Sequence, residues 1–523
     1  MVLIYFTGLK INHRKEKMVL PSLEINILSQ EHLLLELIPR FNMKIYKITS
    51  LLCLFVLMSC NDFLKVEPGV QISINEQLSS KTGLELALNG IYDDVESLLS
   101  SQTNVYADVQ GGNITFSPVI SSKEITIPGA IQNSYNFSDI AQESDYAGVY
   151  TSLYSIINQA NIILKYFDTF TFLTTDEKNQ LEAELLVIRA FSHYQLSLLF
   201  AQNYGFTADA SHPGIVYNTE TLLIGVDFPS RKTMKETYDL LKADLDSALS
   251  LFTNNQFLAG PSHSLFNKKT TEALYARIAL QMNDWEKAFL YSNTVITTSG
   301  IALITTNNYV TEWEKEEEPV SEIILEFSAP RTSEGAVSQS ISQWFIFGSN
   351  VNYARYVASG DLLDLYEAND IRKNMFIEQN LPTRVAGIEQ NLPYYFTKKF
   401  QNGAGTTHIR LSEMYLIRAE VNARLSREND ALVDINILRQ RANLSSLTST
   451  GNLLEEIFLE RRRELAFEGH LLFDLARFKK DVIRNKGCLA TVCNLNYPSN
   501  FFVLPIPQTS IELNENIRQN EGY

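Results

Sequence analysis

The sequence predicts an all-α fold in which about four helical hairpins form a superhelix that carries a large irregular insertion and minor β-strand. Three observations support this: two segments share one repeat spacing, four more stretches are amphipathic at the helical period, and this period stops between about 300 and 408. The 523 residues, 45% hydrophobic and 20% charged, have the composition of an ordinary globular protein. A large core is therefore expected.

The first element is an export signal. Residues 43–60 read MKIYKITSLLCLFVLMSC, in which two lysines precede an almost entirely apolar stretch and a small residue precedes Cys60. The apolar stretch falls short of the roughly 20 residues that span a bilayer, which disfavours a transmembrane helix. The ending LMSC resembles a bacterial lipobox, which implies a signal peptide at 43–59 and a lipid anchor on Cys60.

Residues 1–42 precede this signal and show no clean periodicity, while Met43 stands where a signal peptide should begin. They are interpreted as a misassigned upstream start, with a genuine extension as the alternative. After export, Cys488 and Cys493 would meet an oxidising compartment only five positions apart. A small disulfide loop is predicted, with two reduced thiols as the alternative.

The repeat signal lies in two hairpin-like segments, 271–296 and 412–442. In the first, Ala276 and Ala288 lie 12 positions apart across a polar turn, and in the second Ala419 and Ala431 have the same spacing. These are the small positions of a tetratricopeptide repeat, a unit of about 34 residues in which two antiparallel helices approach closely at such positions. Coincidental alanines in two amphipathic hairpins are the alternative.

Four other stretches have apolar residues at helical spacing and are predicted to supply the remaining helices; they are 82–99, 146–167, 176–205 and 235–249. Between about 300 and 408 the sequence is rich in Gly, Ser, Asn, Pro and aromatics, with one strand-like run at 322–327. Long irregular segments in compact folds usually have a functional role. The ligand-binding region is therefore expected in this segment.

The carboxy-terminal runs GNLLEEIFLERRRELAFEGHLLFDLARFK (451–479) and FFVLPIPQTSIELNENIRQNEGY (501–523) resemble the SusD/RagB family of Bacteroidetes outer-membrane lipoproteins. Shorter resemblances extend the likeness over 43–523; they are CNDFLKVEPG (60–69), NGIYDDV (89–95), LLVIRAFSHYQL (185–196) and HIRLSEMYLIRAEV (408–421).

The resemblance implies a single domain over 60–523, built from four tetratricopeptide pairs with a ligand-binding region at about 300–408. It also implies a protein anchored by lipid on the surface of the outer membrane, acting as a lid over a SusC-like TonB-dependent transporter. Glycan capture is the usual activity in this family, and peptide capture occurs in the RagB branch.

The charged run at 460–464, ERRRE, could be interpreted as acid and base machinery. We favour a structural interpretation, in which its side chains form a charge-assisted network with downstream residues that locks the last helices to the body. The residues expected in this network are Arg462, Glu464, Glu468, Asp474 and Arg477.

No catalytic or metal signature was found in the mature chain, so the protein is predicted not to be an enzyme and to need no cofactor or metal. His193 lies on an apolar helix and is expected to be an interior residue. The acidic run Glu312, Glu314 and 316–318 could attract a divalent cation, but a solvated loop is favoured because no calcium-loop pattern frames it. The net charge of −16 also disfavours nucleic acid as a partner.

Sugar binding needs flat aromatic faces for the C–H faces of a pyranose and polar groups for its hydroxyls. The irregular segment and the loop after the first helix contain both kinds of residue, although every aromatic there could instead pack against the scaffold. The predicted ligand-binding residues are Trp313, Trp344, Phe347, Tyr353 and Tyr106.

The leading hypothesis is thus a surface lipoprotein that captures an oligosaccharide and delivers it to a SusC-like transporter. Three alternatives are left open: a peptide-capturing RagB-like lipoprotein, a helical-repeat scaffold without a small ligand, and a glycoside hydrolase. The last would need two carboxylates facing each other across a cleft.

Overall fold

A computed structural model describes residues 73–223, 225–315, 318–327, 340–401, 405–449 and 451–523. All of them belong to the unit Ile72–Tyr523. The predicted upstream start, signal peptide and lipidated Cys60 lie outside the described residues.

The described residues form sixteen α-helices and ten strands, so the prediction of a mainly helical protein is confirmed. The helices are α1 (Ile74–Gln77), α2 (Lys81–Leu99), α3 (Tyr106–Gly111), α4 (Gln132–Tyr135), α5 (Ala147–Lys165), α6 (Thr175–Phe200), α7 (Met234–Leu251), α8 (Lys268–Gln281), α9 (Trp285–Thr298), α10 (Tyr309–Trp313), α11 (Gly360–Leu363), α12 (Leu411–Arg424), α13 (Glu428–Arg441), α14 (Leu453–Glu464), α15 (Leu471–Arg477) and α16 (Gln508–Leu513). The strands are β1 (Ile114–Phe116), β2 (Ile323–Phe327), β3 (Phe347–Ser349), β4 (Asn352–Tyr353), β5 (Tyr356–Ala358), β6 (Phe376–Val385), β7 (Ile388–Thr397), β8 (Thr406–Arg410), β9 (Val482–Ile483) and β10 (Asn494–Leu495).

The long helices pack against their neighbours in chain order: α2 against α5, α5 against α6, α6 against α7, α8 against α9, and α12 against both α9 and α13. The centre is α6, whose side chains are buried on nearly all sides from Gln180 onward. A capping box fixes its start, because the Thr174 hydroxyl accepts from the Glu177 N–H and the Glu177 carboxylate accepts from the Thr174 N–H.

Both predicted hairpins are helical pairs, α8–α9 and α12–α13. Their four spaced alanines, Ala276, Ala288, Ala419 and Ala431, are fully buried, as expected where paired helices approach closely. The tetratricopeptide class of these pairs, and a superhelix built from them, stay predictions.

The segment at 300–408 contains more regular structure than predicted. It holds β2 to β7 and part of β8, and the β6–β7 hairpin pairs ten residues on each strand, from Phe376 with Thr397 to Val385 with Ile388. Two left-handed residues, Ala386 (φ 51°) and Gly387 (φ 82°), make its tight turn. Sequence analysis missed this hairpin because prolines and polar residues interrupt the alternation that marks a strand.

A network of buried charges joins α14 to the rest of the fold. The Arg410 guanidinium donates to Glu322 (2.5 Å), Glu464 (2.6 Å) and Glu468 (2.8 Å), and all four side chains are buried. Burial alone would raise the pKa of Glu464, but Arg441, Arg410 and Arg372 hold that pKa well below its usual range.

The network continues along the last helices, where Arg461 and Arg477 both donate to Asp474, at 3.1 and 2.8 Å. The structural interpretation of the charged run is therefore confirmed for these side chains. Arg462 differs from the prediction in its partner, since its Nε donates to the Asn113 amide oxygen at 2.8 Å.

Candidate ligand-binding site

An open cavity of about 530 Å³ lies where the carboxyl half of α2 faces the amino half of α5. Its lining is mainly small and polar, with one tryptophan. The residues are Asp94, Ser97, Leu98, Ser101, Gln102, Thr103, Ala130, Asp145, Tyr146, Gly148, Val149, Ser152, Ser155 and Trp344.

Helical spacing explains how these residues converge. Gly148, Ser152 and Ser155 lie four and three positions apart on α5 and so share one face, while Asp94 and Ser97 share a face of α2. A Cβ at Gly148 would meet no atom within 4 Å. The small residues therefore keep the space between the two helices open.

Trp344 comes from the segment between β2 and β3 and is fixed at the cavity. Its indole Nε1 donates to the Ser100 carbonyl oxygen at 2.8 Å, and its ring lies edge-on to that of Tyr356, 5.7 Å away at 89°. Gln102, which also lines the cavity, donates to the Tyr356 hydroxyl at 3.2 Å. The half-buried indole is thus held in place before any ligand arrives.

Two carboxylates are held at the cavity by neutral donors. Asp94 Oδ2 accepts from Gln159 Nε2 at 2.7 Å, and Asp145 Oδ2 accepts from the Ser134 N–H at 2.8 Å. The buried Asp139 accepts from the Asp145 N–H at 3.1 Å, and burial raises the pKa of Asp139 to about 6. These contacts fix the two carboxylates in the lining of the cavity.

Of the five predicted ligand-binding residues, Trp344 lines the cavity, and the other four are not among its described lining residues. Tyr106 is buried at 3% exposure and lies edge-on to Tyr146 with ring centroids 5.0 Å apart, so it supports the cavity wall from behind. Trp313 is also buried, at 5% exposure, against Phe400. Neither Tyr106 nor Trp313 presents a face to a ligand in this structure.

Phe347 and Tyr353 belong to a small separate core. Both rings pack on Phe396, with centroids 4.8 and 5.8 Å away, next to Val357 and Leu381. Phe347 and Tyr353 therefore pack against the fold, which is the alternative left open above for every aromatic of the segment.

Sequence analysis missed the polar side chains of the cavity. They lie in the predicted helices 82–99 and 146–167, where Asp94, Ser97, Ser152 and Ser155 occupy exposed positions between the buried apolar ones. An amphipathic period predicts that the apolar face packs, and it assigns no role to the polar positions.

His193 is an interior residue, as expected. Its Nδ1 lies 2.9 Å from the Arg189 carbonyl oxygen, its Nε2 accepts from the Asn218 N–H at 3.0 Å, and burial lowers its pKa to about 3.

The acidic run at 312–318 pairs with lysines where it is described: Glu312 with Lys315 and Glu314 with Lys398, both at 2.8 Å. Among the described residues, no group of three or more His, Cys, Asp or Glu is arranged to hold a metal ion.

Cys488 and Cys493 are joined in a disulfide. None of the helices in the described ranges is both long and apolar enough to cross a bilayer.

The described helical pairs thus carry an open cavity with one fixed tryptophan and several hydroxyl side chains. Two family models match the chain: one described as the SusD family over residues 391–523, the other as starch-binding and associating with the outer membrane over residues 62–280. Both models describe SusD-type proteins, so the chain matches the SusD/RagB family over these two stretches.

Relatives are similar to this chain in sequence, and solved structures share its fold. SusD-like protein P25 of Formosa agariphila is 23% identical over 90% of this chain and 98% of its own length. The starch-binding protein SusD of Bacteroides thetaiotaomicron is 38% identical over 22% of this chain and 21% of its own length. A SusD superfamily protein from B. thetaiotaomicron superposes with a TM-score of 0.74 at 23% identity, covering 84% of this chain and 99% of that chain. A putative sugar binding protein from Bacteroides vulgatus gives a TM-score of 0.71 at 24% identity, covering 84% and 98%.

Proposed function

We propose that this protein is a lipid-anchored receptor on the surface of the outer membrane, which captures an oligosaccharide and delivers it to a SusC-like TonB-dependent transporter. The observation that carries the capture step is the fixed indole of Trp344 in a cavity lined by serine hydroxyls and two carboxylates. A pyranose offers apolar C–H faces and a rim of hydroxyls, and this lining complements both.

Capture would proceed without a covalent step. One sugar ring stacks on Trp344 while its hydroxyls donate to Asp94 and Asp145 and exchange hydrogen bonds with the serines. Because the indole is already fixed by Ser100 and Tyr356, binding orders few additional protein groups. The cavity is open to solvent, so a bound sugar can be released directly from it, which suits a protein that passes its ligand on.

The delivery and anchoring steps rest on the family and on the sequence around Cys60. Mass spectrometry of membrane-extracted protein should find a diacylglyceryl-modified Cys60, and Cys60→Ala should release the protein from the membrane. Pull-down from membranes of the source organism should recover a TonB-dependent transporter. An intact chain that begins at Met1 would contradict the anchor.

The capture step is tested by calorimetry against a panel of oligosaccharides. Trp344→Ala should weaken binding by about 1–3 kcal/mol, a loss of roughly 5- to 150-fold, because the stacking face disappears. Gly148→Phe should abolish binding, since its side chain would project into the open space between α2 and α5.

Gly90→Phe is the matched control. Gly90 lies on α2, a Cβ there would also meet no atom within 4 Å, and it lines a separate apolar groove. This variant should bind sugar as the wild type does. If the wild type binds peptides and no sugar, the RagB-like alternative replaces the proposal, and if it binds neither, the scaffold alternative does.

A further inference from the structure

The cavity carries negative charge that the described residues leave uncompensated. Asp94 and Asp145 line it, and their described partners are a neutral amide and a backbone N–H. No Lys, Arg or His is among its described lining residues, and within the described ranges neither carboxylate forms an ion pair.

Each carboxylate also keeps an oxygen for a ligand. The hydrogen bonds from Gln159 and Ser134 both reach Oδ2, and Oδ1 of Asp94 and of Asp145 accepts none from the described part of the chain. A free carboxylate oxygen is a strong acceptor for a sugar hydroxyl and a stronger one for an ammonium group. The same oxygen repels a carboxylate or sulfate brought to the same distance.

We infer that this cavity selects uncharged and amino-bearing glycans and rejects uronate and sulfated ones, with Asp94 and Asp145 as the specificity-determining residues. This inference rests on the proposed function, because it names the ligand class of the same site. Stacking on Trp344 contributes affinity without regard to charge, so the charge of the ligand is sensed by the two carboxylates. The chain's net charge of −16 acts in the same direction at longer range.

The test compares three forms of one oligosaccharide backbone: the neutral form that binds best in the panel, its C6-oxidised uronate counterpart, and a counterpart with free amino groups. In low salt, the wild type should bind the uronate form about 10- to 100-fold more weakly than the neutral form. It should bind the amino form at least as tightly as the neutral one. The differences in affinity among the three forms should shrink in 0.5 M NaCl, because salt ions enter the open cavity and screen the two carboxylates.

The variant Asp94→Asn/Asp145→Asn should bring the neutral and uronate affinities to within about threefold of each other. Asp93→Asn is the matched control: Asp93 is the exposed neighbour of Asp94 on α2 and does not line the cavity, so it should keep the full discrimination. Trp344→Ala should weaken all forms by a similar factor and leave their ratio unchanged.

Two results separate this inference from the proposed function. If the wild type binds uronate and neutral forms equally, or the double variant keeps the wild-type ratio, the charge selection is wrong and sugar capture stands. If no oligosaccharide of any charge binds, sugar capture fails and this inference fails with it.

Discussion

Replacing Trp313 should weaken the fold and leave sugar affinity unchanged, although its position in the irregular segment favours a role in binding. Its indole is 5% exposed, lies edge-on to Phe400 at 5.8 Å, and covers Lys399 Nζ at 5.1 Å and the Arg410 guanidinium at 5.8 Å. Truncating a buried tryptophan to alanine typically costs about 3–5 kcal/mol. Losing the ring above two desolvated cations adds to that cost.

The assay is denaturant unfolding followed by circular dichroism, paired with calorimetry on the best-binding oligosaccharide. Trp313→Ala should lower the free energy of unfolding by about 3–5 kcal/mol and keep the wild-type sugar affinity. Trp344→Ala, at a half-buried position in the cavity wall, should lose less stability and most of the affinity. Trp313→Phe keeps an aromatic ring over the cations and should recover much of the stability. A stable Trp313→Ala protein with weakened sugar binding would show that the cavity at Trp344 is not the binding site.

Three further predictions concern stability. Arg410→Met should lower the free energy of unfolding by about 3–5 kcal/mol, because it leaves buried carboxylates without their cationic partner. The control is Lys486→Ala at an exposed ion pair, which should leave the midpoint of denaturant unfolding unchanged. Peptide mapping without reductant should recover Cys488 and Cys493 cross-linked, and Cys488→Ser/Cys493→Ser should cost no more than about 2 kcal/mol because the loop is short. Burial lowers the pKa of His193 to about 3, so the stability it contributes is full above about pH 6.5 and is lost as the pH falls toward 3. His193→Gln should flatten the slope of unfolding free energy between pH 4 and 6 by up to about 1.4 kcal/mol per pH unit, and an unchanged slope would contradict the assignment.

The long helices could be predicted because their patterns are local. The predicted stretches 82–99 and 146–167 agree with Lys81–Leu99 and Ala147–Lys165 to within two residues at each end. An amphipathic helix with a cap needs only a dozen neighbouring residues to define it. Among the described strands, β1 pairs with β5 and β2 with β8 across long separations in the chain, and no local signal announces such a partner.

The site could be predicted only in part, because burial is a tertiary property. Trp313 and Trp344 lie in the same irregular segment, yet one covers a charge network and the other lines a cavity. The polar residues of the cavity belong to helices whose apolar faces dominate their pattern. Which helical face meets another helix, and which meets solvent, is decided by the packing of α2 on α5.

The charge network and the cavity are connected through one residue. Phe345 follows Trp344 in the chain, is fully buried, and packs on Phe400 and Phe467 with ring centroids 5.8 and 5.5 Å away. Phe467 lies in the turn after α14, where Lys399 Nζ donates to the carbonyl oxygens of Glu464 and Ala466 at 2.9 and 3.0 Å. The network thus stabilises the scaffold on which Phe345 packs, whereas the Trp344 indole is itself oriented by Ser100 and Tyr356. The charged run at 460–464 therefore supports the fold behind the cavity, and a change there is expected to lower stability before it alters the aromatic face at which a sugar would stack.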